Sequence, residues 1–170
     1  MTTRQIVTGE VLDTAALISW SIDQMKNCFV LPSQRDELLK IAPEREMIID
    51  AADLIWESPN DESLELASKL AIETGDMAGL SNIDLGIMAL SLEGQRKLVT
   101  DDYRLQNIAK KAGIDWAPVS TEGIKKVWKW QLKCIACKKI FPTPEVPNQK
   151  KSDWGECTDC GTQLKLTKRK

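Results

Sequence analysis

The sequence predicts an α/β body, with a mostly parallel sheet covered by helices on both faces, followed by a small C-terminal module built around cysteines. Three observations predict it. Through the first 120 residues short apolar runs alternate with segments of helical periodicity. Pro118 and Gly123 then interrupt the pattern, and a lysine- and tryptophan-rich stretch follows. Finally, four of the five cysteines fall after residue 133, as two C-x-x-C pairs.

The elements follow in chain order. The apolar QIVTGEVLD reads as a strand ending at Asp13, TAALISW as a helix and CFVLP as a short strand. The run SQRDELLKIAPEREMIIDAAD is helical, with Pro43 opening a second helix, and LIWES is a strand. From Asp61 to Glu73, Leu64, Ala67, Leu70 and Ala71 recur at helical spacing, and TGD stops that helix. SNIDLGIMALSLE predicts a helix over 81–93 ending at Gly94. KLVT is a strand, DDYRLQNIAKKA a helix closed by Gly113, and IDW a last short strand.

Composition excludes several classes of function. The 170 residues carry 23 Lys plus Arg against 25 Asp plus Glu, a net charge of −2, and no His. Triads and acid/base pairs that depend on imidazole are therefore excluded. No apolar run reaches the roughly 18 residues of a membrane span, and MTTRQIVTGEVLD lacks the basic-then-apolar pattern of a leader. The expectation is a cytoplasmic protein with no membrane partner. The charge is divided: residues 1–120 carry 11 basic and 20 acidic side chains, residues 121–170 carry 12 basic and 5 acidic. A basic end on an acidic body suits a polyanionic partner, the alternative being a solvated tail.

Cys134 and Cys137 form one pair, Cys157 and Cys160 the other, with nineteen residues between them. That spacing is the one expected of a two-knuckle zinc site, and Gly161 can take the turn that aims backbone amides at the sulfurs. So short a module has too small an apolar core to fold without the metal. Two disulfides or redox pairs are the alternatives, and Cys28 reads as a small core residue. The expected organisation is an α/β body at 1–120, a basic linker at 121–133, a zinc ribbon at 134–164 and a basic tail at 165–170. In GIKKVWKW and the first knuckle, Lys125, Lys126, Trp128, Lys129, Trp130, Lys133, Lys138 and Lys139 are candidates for RNA binding, with ammonium groups for phosphates and indoles for unpaired bases. The alternative packs Trp128 and Trp130 against the core. The polar, Pro-rich PTPEVPNQKKSD reads as an exposed loop.

In a parallel sheet, ligands bind beyond the carboxyl ends of the strands. Asp13 and the pair Asp101 and Asp102 fall at that rim, Asp84 lies in the first turn of its helix, and Glu37 sits beside Leu38 on another. Carboxylates that converge there repel one another unless a hard cation such as magnesium or manganese is present. Each has a structural alternative: Asp13 as an N-cap, Ser81 with Asp84 as a capping box, Asp101 and Asp102 as first-turn acids, Glu37 as a solvated helix residue.

The runs VLDT, LPSQRDEL, SNIDLGIMALSLE and LVTDDYRLQNIAKKAGI resemble the acidic signature of PIN-domain ribonucleases. With GIKKVWKW and the two C-x-x-C pairs, nearly the whole chain resembles the archaeal type of the Nin-one-binding family of ribosome-maturation endonucleases. The resemblance implies a PIN-like sheet with a zinc ribbon, cleavage of precursor small-subunit rRNA at its mature 3' end, and the pre-ribosomal small subunit as partner. It implies catalytic acids at Asp13, Glu37, Asp84 and Asp102, and magnesium or manganese held by Asp13, Asp84 and Asp102 with Asp101 adjoining. It implies structural zinc on Cys134, Cys137, Cys157 and Cys160. RDEL is more polar than the family's usual helix, so Asp36 competes with Glu37, as Asp101 does with Asp102. A toxin-type PIN ribonuclease and a nonenzymatic RNA-binding or ribosome-docking protein are the alternatives.

Overall fold

The computed structural model describes residues 9–120, 130–143 and 154–169. Five parallel strands form the first sheet: β1 (Glu10–Leu12), β2 (Phe29–Val30), β3 (Ile55–Trp56), β4 (Lys97–Val99) and β5 (Trp116–Ala117), in the order β3-β2-β1-β4-β5. Seven helices connect them: α1 (Thr14–Ser19), α2 (Ile22–Met25), α3 (Pro32–Ile41), α4 (Glu46–Asp50), α5 (Asp61–Thr74), α6 (Asn82–Gly94) and α7 (Tyr103–Ala112).

Alternation along each strand divides the core in two. Val11, Phe29 and Leu98 pack with α5, α6 and α7. Their neighbours Leu12, Val30 and Val99 pack with α1, α3 and α4 on the other face. Burial of each large aliphatic side chain contributes about 1.5–3 kcal/mol. The helix α6 is buried from Leu85 through Leu92, which explains its nearly continuous apolar sequence. The expected layering, with helices on both faces, is observed.

The strand order places a switch point at the centre. From β1 the chain moves outward through β2 to β3, then crosses back by way of α5 and α6 to β4 on the other side of β1. Leu12 pairs with Val99, so both strands end level and Asp13 and Thr100 emerge side by side. A doubly wound sheet opens its ligand crevice at this point.

A second, antiparallel sheet has the order β7-β6-β8, from β6 (Trp130–Cys134), β7 (Ile140–Phe141) and β8 (Leu164–Lys168). Its small core is Leu132, Cys134, Cys157 and Leu164 with Phe141, Trp154 and Leu166. Two sequence expectations differ here. Trp130–Lys133, placed in the linker, belongs to β6, and the stretch from 165, placed in a tail, runs as β8 to Lys168. The period-two pattern Leu-Lys-Leu-Thr-Lys carries β8, and its lysines conceal it as a charge run. The short α2 was not expected either; a capping box between Ser21 and Gln24 starts it. The body otherwise matches the predicted elements. Lys125, Lys126, Trp128 and Lys129, and the loop from 144 to 153, lie outside the described residues.

Candidate active site

Asp13 caps α1: Thr14 N donates to Oδ1 at 2.6 Å, while the Thr100 hydroxyl donates to Oδ2 at 2.5 Å. Asp84 belongs to a capping box, with Ser81 N donating to its Oδ2 at 2.7 Å and its own N–H donating to Ser81 Oγ at 3.1 Å. Asp102 caps α7 by accepting from Arg104 N at 2.8 Å, and its N–H donates to Thr100 Oγ1 at 3.0 Å. The capping alternatives are thus real. They do not exclude a second role, because each carboxylate oxygen has a further lone pair.

These three acids converge. The Asp13 carboxyl is pushed up from 3.8 to about 6, first by burial and then by the negative charges of Asp84 and Asp102, against the lowering effect of the Thr100 and Thr14 hydrogen bonds. Such crowding suits a cation, and the all-oxygen donor set suits magnesium or manganese.

Glu37 reaches the same corner indirectly. The Thr14 hydroxyl donates to its Oε2 at 2.6 Å, while Asp36, one residue earlier, is exposed. The buried Gln34 holds α3 against β1, its amide donating to Leu12 O at 2.9 Å and its Oε1 accepting from Leu31 N at 2.7 Å. Asp101 points elsewhere: its carboxylate accepts from Val119 N at 2.8 Å and from the Ser120 hydroxyl at 2.8 Å, stapling the chain beyond β5. Thr100, Gln34 and the buried Asp76 were missed by sequence reasoning. Thr100 and Gln34 each stand just before acids already singled out, and Asp76 sits in a TGD read only as a helix stop.

The four thiols of the C-terminal module gather on two matched turns. All four Sγ atoms lie within 4.8 Å of one another, and Cys134 to Cys160 and Cys137 to Cys157 are each 3.5 Å apart. Zinc–sulfur bonds of about 2.3 Å set sulfur–sulfur edges near 3.8 Å, so this cluster fits zinc. The residue after each pair is left-handed, Lys138 at φ 66° and Gly161 at φ 71°. Lys138 N donates to Cys134 O and Gly161 N to Cys157 O. Among the described residues these thiols are the only group of three or more ligand atoms so close. The acids of the body do not form such a group.

The candidate RNA-binding residues divide. Lys133 and Lys138 line one concave patch with Gln131, Thr167 and Lys168. Lys139 is paired with Asp159 at 2.8 Å. Trp130 is half-buried, with Arg104 and Lys168 each within 6 Å of its ring.

Comparison with known proteins agrees with this architecture. A family profile described as the PIN domain of ribonuclease matches residues 11–93. Ribonuclease VapC1 of Thermoplasma acidophilum is 33% identical over 79% of the chain and 70% of its own length. Endoribonuclease Nob1 of Pyrococcus abyssi is 35% identical over 74% of the chain and 73% of its own length. Endoribonuclease Nob1 of Methanocaldococcus jannaschii is 32% identical over 94% of the chain and 78% of its own length, a span that takes in the cysteine module. With a PIN fold, acids meeting at its switch point and a four-cysteine module, the chain belongs to the Nob1 family of PIN-domain endoribonucleases.

Proposed function

We propose that this endoribonuclease cleaves precursor small-subunit rRNA to form its mature 3' end, working on the pre-ribosomal small subunit. The observation that carries the reading is the meeting of Asp13, Asp84 and Asp102 beyond β1 and β4 in a chain that also bears the cysteine module.

In this reading Asp13, Asp84 and Asp102 hold magnesium or manganese, and Glu37 braces Thr14 beside them. A cation bound there lowers the pKa of a coordinated water and stabilises the charge that develops on the leaving oxygen. The protein's own contribution is placement. Thr100 orients Asp13 and Asp102 together, the caps fix each carboxylate's rotamer, and Asp101 holds the 119–120 segment at the rim. With no imidazole in the chain, proton transfer falls to carboxylates and water.

Residues 1–120 form the nuclease body in this reading, the linker from 121 leads into the ribbon, and zinc on Cys134, Cys137, Cys157 and Cys160 holds the ribbon's lysines in one array. Lys133 and Lys165 are direct cross-strand partners of β6 and β8. Like charges so placed repel, and a phosphate between them relieves the repulsion. Incubating the purified full chain with a precursor rRNA fragment and manganese, then sequencing the cut ends, tests enzyme, substrate and position together. Cutting at the mature 3' end is expected, and indiscriminate cutting of unrelated RNA would favour a toxin-type ribonuclease.

A further inference from the structure

The segment between α5 and α6 contains a buried acid that the site described above does not use. Asp76 has no exposed surface. Its Oδ2 accepts from Asn107 Nδ2 at 2.6 Å, the Thr74 side chain also bears on the carboxylate, and Oδ1 meets no donor in hydrogen-bond geometry among the described residues. Arg104 is the cation acting on this carboxylate, and Asp102 is the like charge beyond it. Asn107, Arg104 and Asp102 all belong to α7 or its cap, so Asp76 faces the helix that carries a candidate ligand.

Arg104 is confined on its other sides. Its side chain lies across Gly79, where any Cβ would collide with Nε. The Trp130 ring stands 5.9 Å from its guanidinium carbon. Arg104 Nε and Trp130 Nε1 are, like Asp76 Oδ1, buried without a hydrogen-bond partner, so three of the four such side-chain atoms among the described residues belong to this one cluster. Gly75 admits Trp130: it is left-handed at φ 78°, and a Cβ there would lie 2.5 Å from Trp130 O. Residues 74–79 are thus held between α7 and the first strand of the cysteine module. A core position with no task beyond packing would be cheaper with apolar side chains than with three under-satisfied polar ones.

We propose that Asp76 is a positioning residue of the nuclease site, holding Arg104 and Asn107 so that Asp102 faces Asp13, with Trp130 of the cysteine module closing the joint. The proposal rests on reading Asp102 as part of that site. The link is short, since Arg104 N donates to the Asp102 carboxylate. Trp130 then acts through Arg104 rather than by stacking on RNA.

The test uses the full zinc-loaded chain and the variants Asp76→Asn, Arg104→Gln, their double, Trp130→Ala and Asp102→Asn. Manganese binding is read directly from the electron paramagnetic resonance of the free ion, alongside single-turnover cleavage and RNA affinity. Asp76→Asn and Arg104→Gln are each expected to weaken manganese binding and slow cleavage by about 10-fold or more, the usual cost of losing an outer partner of a ligand. Their RNA affinity should stay unchanged, and the double should fall no further than either single variant. Should Asp76→Asn not fold, Arg104→Gln and Trp130→Ala leave the buried carboxyl in place and carry the same test. Loss of manganese by Asp102→Asn, but by none of the variants at the joint, overturns the proposal and leaves the site standing. Additive losses in the double also overturn it. Wild-type manganese binding by Asp102→Asn overturns the site itself.

Discussion

The Thr100 hydroxyl joins two acids, donating to Asp13 Oδ2 at 2.5 Å and accepting from Asp102 N at 3.0 Å. It is fully buried, so neither contact competes with water. Thr100→Val keeps the shape and removes both hydrogen bonds, leaving a carboxylate oxygen and an amide unmatched at a cost of about 1–3 kcal/mol. Cleavage should fall by about 10- to 100-fold, as for other lost outer partners of metal ligands. Thr100→Ser should restore most of the rate. Equal rates for the Val and Ser variants would show that the hydroxyl orients nothing.

Because Asp13 and Asp102 are helix N-caps and Asp84 is the third-residue partner of Ser81 in a capping box, the capping and ligand roles must be separated by substitution. Asparagine still accepts a cap hydrogen bond, and Asn and Asp cap about equally well. Asp13→Asn, Asp84→Asn and Asp102→Asn should therefore remain folded, with stability within about 1 kcal/mol of wild type. Each should lose manganese-dependent cleavage while RNA affinity holds or rises slightly, since a negative charge has been removed beside phosphate. Melting temperature, cut product and filter binding on the same preparations check all three. Full cleavage by all three would move the active site elsewhere.

Most of the body was legible because its signals are local. The strand-helix alternation, the caps at Asp13 and Ser81, and the stops at Gly75 and Gly113 are each written within a few residues, whereas Asp102, read as a first-turn acid, is the N-cap of α7. The acids at the rim were legible once the sheet was parallel, since position then follows from strand ends. What stayed hidden depends on contacts distant in sequence. Thr100 gains its role from Asp13, 87 residues away. Asp76 is buried only because Asn107 and Arg104 close over it, and TGD alone reads as a turn. The strand β8 was hidden for a different reason: an edge strand carrying two lysines and followed by a further basic residue has the composition of a tail.

Asp76 should make stability depend on pH in a predictable direction. Burial, the leading cause, lifts its carboxyl from 3.8 to about 7. Between about pH 4 and pH 7 the folded protein retains a proton that the unfolded chain has lost, so this group's contribution to stability declines as pH rises. The decline approaches about 1.4 kcal/mol per pH unit inside that window and stops above it. Asp76→Asn has no such titration. Relative to wild type, its melting temperature should rise steadily from about pH 4 to about pH 7 and then level off. A difference that stays flat over this range would mean that Asp76 is ionised throughout. If the variant gains stability and loses manganese, the acid is retained at the expense of stability, as at other functional sites.

Zinc removal should act on the two sheets differently. The small core of the second sheet includes Cys134 and Cys157 themselves, whereas the body has two apolar clusters of its own. A chelator should abolish amide protection in Trp130–Cys134 and Leu164–Lys168 and leave the helical signal nearly unchanged. RNA affinity should drop and its salt dependence flatten, each lost phosphate contact reducing the slope by about 0.7 on a single strand. Unchanged affinity and slope after verified zinc loss would remove the module from RNA binding.

The products report the nucleophile. The common metal-free route to RNA cleavage uses one imidazole to deprotonate the 2'-hydroxyl and another to protonate the leaving oxygen, and this chain contains no histidine. Burial lifts the Asp13 carboxyl to about 6, but a cation bound beside it would hold it ionised as a ligand, so it is not free to supply that second proton. Water is then the expected nucleophile: its oxygen bonds to phosphorus, the bond from phosphorus to the upstream 3'-oxygen breaks, the proton shed by water goes to bulk solvent or a carboxylate, and the departing 3'-oxygen takes a proton from solvent. The upstream fragment should carry a 3'-hydroxyl and the downstream fragment a 5'-phosphate. A substrate with a single 2'-deoxy sugar at the cut should still be cleaved, more slowly if that hydroxyl is used for recognition. Ligation assays and mass spectrometry of the ends distinguish the routes. A 2',3'-cyclic phosphate upstream would show that the RNA attacks itself, and the role assigned to Asp13, Asp84 and Asp102 would fall with it.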